Sequence, residues 1–252
     1  MQRISRTSHE LPRVAIGFQP EFLDFQRGIR VGNLEDNQRI TRILKLALES
    51  RYRQSMVTER WGRGVFWQWI GFLSRANRSV MPLSSHVSFG CSKFFITVDT
   101  EEKLFKCGLQ VERGCIKPPK DYPQCGLMPD WDWHRLVRAL KPNSRMELDL
   151  RRLVTREGFR VHAGGWDPGA RSFNSANFPD MRALRKILNS APPDQWAGFQ
   201  VYFAMKEDEV RNCLGVDLVD SMIAIFDEVA PLMNQCMTVP LATKPEGFHS
   251  GI

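Results

Sequence analysis

The sequence predicts an α+β fold, an antiparallel or mixed β-sheet built around a central hairpin with helices packed on it. Three observations carry that prediction. Phe94, Ile96 and Val98 alternate with Phe95 and Thr97, and after the polar break at 99–102 Phe105, Cys107, Leu109 and Val111 alternate with Lys106, Gly108, Gln110 and Glu112. Phe199, Val201, Phe203 and Met205 repeat the alternation farther on. Between these strands lie amphipathic stretches with helical spacing, and an isolated hairpin is marginal in water, so helices and further strands must cover its apolar face.

In chain order, residues 1–35 form an irregular segment punctuated by Gly17, Pro20, Gly28 and Gly32, with a short strand expected at Val14 to Phe18. Ile40, Ile43, Leu44, Ala47 and Leu48 make one stripe of a helix expected over Asn37 to Ser55. Gly62, Gly64 and Gly71 argue against a long helix in the Arg- and Trp-rich stretch that follows, so a strand is expected from Val65 to Leu73, beside the hairpin. Ser79 to Gly90 reads as a connector.

Pro118, Pro119, Pro123 and Pro129 make 117–129 a loop and a candidate subdomain boundary within one domain over 36–240. Helices are then expected at Asp130 to Leu140 and Arg145 to Glu157. Ser144 and Glu147 have the spacing of a reciprocal cap at the start of the second. Phe159, Val161 and Ala163 form a short strand running into the loop Gly164 to Ala170. Asn177 and Pro179 start a helix burying Met181, Leu184, Ile187 and Leu188, and a last helix spans Val216 to Met237, kinked or interrupted at Pro231. Residues 241–252 read as a loose tail.

Composition bounds the function without naming it. The 252 residues suffice for a large core, and 42% hydrophobic with 25% charged residues is ordinary for a globular protein. No apolar run is long enough to cross a bilayer and no secretory leader is evident, so a soluble, cytoplasmic protein with reduced thiols is expected. The net charge of +7 is uneven: residues 1–120 hold 20 basic against 11 acidic side chains, and residues 121–252 hold 15 against 17. A basic half-molecule attracts nucleic acid or an acidic protein partner. Neither a phosphate loop nor a dinucleotide fingerprint occurs, so no cofactor is indicated, and nothing sets the oligomeric state.

Two sets of residues are candidate sites. Arg60, Arg63, Trp67, Trp69, Arg75 and Arg78 combine guanidinium groups for phosphates with planar rings for bases, as single-stranded nucleic acid requires. On a regular strand Trp61, Trp67 and Trp69 share one face, which is either core or binding platform. The second set, Asp130, Asp132, His134 and His162, would serve a metal-dependent hydrolase or nuclease if the Asp130 segment met the loop after His162. Against it stands the reading of Asp130 and Asp132 as acids at a helix N-terminus, which accept free amides there. Asp99, Glu101 and Glu102 sit in one tight turn and splay apart, while Cys107, Cys115 and Cys125 lack zinc spacing and read as buried thiols. The leading expectation is a binding or adaptor protein, with the hydrolase as the alternative.

Overall fold

Alternation at 93–113 produces the expected centre, strands β5 (Lys93–Asp99) and β6 (Leu104–Arg113), paired antiparallel with Ile96 opposite Cys107. The computed structural model describes residues 17–80, 90–127, 131–165 and 171–242, and among them seven α-helices pack on a nine-stranded antiparallel sheet. The remaining strands are β1 (Leu23–Asp24), β2 (Gly28–Arg30), β3 (Met56–Arg63), β4 (Phe66–Ser74), β7 (Arg160–Gly165), β8 (Arg171–Phe173) and β9 (Ala197–Lys206). Their order is β1-β2-β4-β5-β6-β9-β7-β8, with β3 also paired to β4. The longest ladder joins β6 to β9, from Leu104 opposite Lys206 to Arg113 opposite Ala197.

The helices are α1 (Ile40–Tyr52), α2 (Arg75–Ser79), α3 (Asp132–Ala139), α4 (Arg145–Thr155), α5 (Met181–Asn189), α6 (Glu207–Arg211) and α7 (Gly215–Asn234). Ile70, Phe72, Phe94, Ile96, Phe105, Cys107, Leu109, Phe199 and Val201 of the sheet join Ile43, Leu44, Leu150, Leu184 and Phe226 of the helices in one core. Phe94 is sandwiched in it, its ring centroid 4.8 Å from Phe226 and 5.6 Å from Tyr52. Residues from before and after the 117–129 loop share that core.

Several elements differ from the sequence reading. The opening segment carries the β1–β2 ribbon, whose two short strands are too brief to show a period; the strand expected at Val14 to Phe18 lies largely outside the described residues. β3 leaves no apolar alternation in the sequence because its residues are mostly half-exposed or exposed. α2 occupies Arg75–Ser79, with Ser74 Oγ accepting from Asn77 N at its start. The reciprocal cap on α4 is shifted: Ser144 Oγ accepts from Glu147 N, but the Glu147 carboxylate accepts from Asn143 N, one residue earlier. α7 continues through Pro231. The tail begins docked, with Leu241 buried and bonded through its backbone to Asn234, while 243–252 lie outside the described residues.

Candidate functional site

Because the helices cover one face of the sheet, the opposite face holds the side chains that are available for something other than core. Cross-strand register places Trp61, Trp69, Thr97 and Lys106 in one row on it, and Lys93, Gln110, Gln200 and His162 in another. None of these side chains belongs to the helix-covered core, yet much of the surface is buried in its own contacts.

The middle of this face is a closed network. Lys93, only 1% exposed, bonds Glu59 at 2.9 Å and Glu112 at 2.8 Å. Burial opposes its charge, but Glu112 and Glu59 outweigh that and raise its pKa. Gln110 Oε1 accepts from Trp69 Nε1 at 3.0 Å and from Gln200 Nε2 at 2.7 Å, and Gln110 Nε2 donates to Glu112. The Trp69 indole lies over Gly71, where a Cβ would sit 2.3 Å from the ring. Lys106 is paired in the same manner, at 2.7 Å with Asp99 and 2.6 Å with Glu102. Each lysine therefore meets two carboxylates, and the middle of the face is net acidic.

The β3–β4 end of the face is the reverse. Gly62 and Gly64 take positive φ (145° and 61°) to close the hairpin, and its register shifts so that Gly62 pairs with Trp67 while Trp61 pairs with Trp69. One extra residue, Gln68, is thereby inserted in β4, a β-bulge. The consequence corrects the sequence reading of a shared tryptophan face. Trp67 falls in register with Gly62 and Ile29 and packs half-buried on the helical core under the Arg60 guanidinium, 4.1 Å from its ring, while Trp69 stays on the opposite face.

Trp61, outside the expected site set, is the exposed tryptophan among the described residues, at 75%. Around it Arg63 and Arg30 pair with Phe66 from the two neighbouring strands, and Arg27 stacks on the Phe66 ring at 4.3 Å. Arg27 is paired with Asp24, whereas Arg30, Arg60 and Arg63 make no ion pair among the described residues. Arg75 and Arg78 stand apart on α2, beyond the far end of the nine-residue β4, roughly 26 Å away at ~3.3 Å per residue. The expected arginine set thus divides in two, with Trp69 locked between its halves.

The hydrolase set is also distributed. Asp130 lies outside the described residues. Asp132 is fully buried and does not cap its own helix; its Oδ2 accepts from Asn77 Nδ2 at 2.8 Å and from Ser92 N at 2.6 Å, tying α3 to α2 and to the start of β5. Burial pushes its carboxyl up to about 6. His134, two residues on, points away from it by helical geometry and lines a cleft with Arg113 and Arg138. His162 is on β7, in the row of Lys93 but three strands away, about 14 Å at ~4.8 Å per strand. Its Nδ1 lies 3.3 Å from Ser172 Oγ, and burial, then Lys106, lowers its pKa. Among the described residues no three His, Cys, Asp or Glu side chains are grouped to hold a metal ion. The six cysteines are free, and all but Cys213 are buried.

No known protein family and no curated protein matches this chain. Among the described residues, no helix is long and apolar enough to cross a membrane.

Proposed function

We propose that the chain is a non-catalytic binding protein that takes single-stranded nucleic acid on the β2–β3–β4 end of its sheet. The observation that supports this is the convergence there, on one face, of the exposed Trp61 with Arg30 and Arg63, which, like Arg60 on the other face of β3, have no ion-pair partner among the described residues. A strand needs cations for its phosphates and a planar platform for a base, and both are offered within one hairpin. Arg27, paired with Asp24, lies on the Phe66 ring of the same face, while Arg60 lies on Trp67 behind it. The acidic middle of the face repels phosphate, so a strand is confined to the hairpin end.

The test is binding of labelled single-stranded RNA and DNA across a salt series. Affinity should fall as salt rises, with a slope of about −0.7 per phosphate contacted. Trp61→Ala should weaken binding while leaving the melting temperature in place. Undetectable binding at low salt, or binding indifferent to salt, removes nucleic acid and leaves an acidic protein as the partner of the same arginines.

A further inference from the structure

A second basic site lies on the helical side, at the other end of the sheet. Helices α3 and α5 flank a cleft of about 220 Å³ over the end of β6. Arg113, the last residue of that strand, lines it, some 23 Å along β6 from Lys106 at ~3.3 Å per residue. Arg113 is 1% exposed, and its guanidinium donates only to backbone carbonyls: Nη1 to Ala191 at 3.1 Å, Nη2 to Pro192 at 2.6 Å and to Gln195 at 2.7 Å. Its Nε is buried without a hydrogen-bond partner among the described residues. Among those residues no carboxylate pairs with this charge. A buried guanidinium ordinarily has an acid beside it, because carbonyl dipoles satisfy its N–H groups but do not neutralise it.

The surroundings add positive charge. Arg138 and Asn189 line the same cleft, and beyond Asn189 the outer surface of α5 carries Arg182, Arg185 and Lys186 around an adjoining depression. None of these cations is ion-paired among the described residues. Among the described residues none that lines either hollow is acidic. The cleft floor is different in kind, since Trp133 and Leu188 give it an apolar, partly aromatic surface.

We propose that this cleft binds a terminal phosphate group attached to a planar or apolar moiety, with Arg113, Arg138 and Asn189 engaging the phosphate and Trp133 with Leu188 receiving the rest. A dianion supplies the countercharge that Arg113 lacks among the described residues, and arginine forks match phosphate geometry. At about 220 Å³ the cleft is smaller than a usual small-molecule pocket of about 300–1,000 Å³, so it encloses the phosphate and only part of the group attached to it. The moiety is a free mononucleotide or the 5′ end of a nucleic acid, and the site does not depend on the hairpin reading.

The experiment is calorimetric titration of the full chain with adenosine 5′-monophosphate, adenosine and inorganic phosphate at matched ionic strength. Adenosine monophosphate should bind at least about tenfold more tightly than adenosine, and Arg138→Glu, at an exposed position, should abolish that preference without lowering the melting temperature. A 5′-phosphorylated oligothymidylate and its 5′-hydroxyl form, titrated into the Trp61→Ala/Arg63→Gln double variant, separate the two sources. Preference for the phosphorylated oligonucleotide assigns a nucleic-acid end, and binding of the mononucleotide without that preference assigns a free nucleotide. Equal binding of adenosine and its monophosphate, absence of monophosphate binding at millimolar concentration, or an Arg138→Glu variant that binds as well as the parent overturns the proposal.

Discussion

Lys93 and Arg63 are cations on the same sheet, two strands apart, with opposite circumstances. Lys93 is buried between two carboxylates and Arg63 stands exposed with none among the described residues. The first pattern holds strands together, because its partners are supplied from β3 and β6. The second holds nothing together in the chain itself, so its partner has to come from outside. The number of acids around each base, rather than the number of bases along the sequence, separates structural charge from binding charge.

The largest effect that could break this contrast is at Lys93. Lys93→Met leaves Glu59 and Glu112 without their buried cation and should cost about 3–5 kcal/mol, read as a sharp drop in denaturant midpoint. An unchanged midpoint would mean that the network is ornamental and the contrast empty. Trp69→Ala comes next, at about 3 kcal/mol, since it opens a cavity over Gly71 and removes the indole donor to Gln110.

Asp132 sharpens the same point from the acid side. Its folded-state pKa of about 6 lies above the ordinary 3.8, so the neutral form is the one the fold prefers. Its contribution is fully present below about pH 4 and is lost as pH rises through 6, by about 2–3 kcal/mol at 1.36 kcal/mol per unit. Asp132→Asn should flatten the stability profile across that window, and an unaltered profile would show that another group governs it. Trp61→Ala and Arg63→Gln should give the smallest change in stability, within about 0.5 kcal/mol. The tryptophan variant should nonetheless lose about 1–3 kcal/mol of single-strand affinity per stacked base. If either exposed residue proves as important to stability as Lys93, the division between the two regions fails.

The elements with long apolar periods are legible in the sequence alone. β5, β6, β9, α1 and α7 can be placed from it because burial on one side writes itself into the spacing of Phe, Ile, Leu and Val. β1, β2 and β8 cannot, being two or three residues long. The candidate site is half legible. Arginine and tryptophan density points to the 60–78 stretch, but the bulge at Gln68 shifts every later side chain by one face, and no residue type announces a bulge. Trp61 is not singled out by composition, which it shares with its neighbours; only its exposure distinguishes it. Arg113 gives no signal at all, since the carbonyls that hold it come from 191–195, far along the chain.

The β6–β9 ladder has a consequence during synthesis. Leu104–Arg113 leaves the ribosome well before Ala197–Lys206 exists to pair with it. At about 5–20 residues per second the nascent chain carries β3 to β6 for several seconds with one edge of β6 unpaired and with Cys107, Leu109 and Val111 lacking the α7 cover that comes later still. An open edge with an apolar face invites pairing with another chain, so newly made copies of this protein are most prone to stick to one another in that interval, before residue 206 closes the sheet.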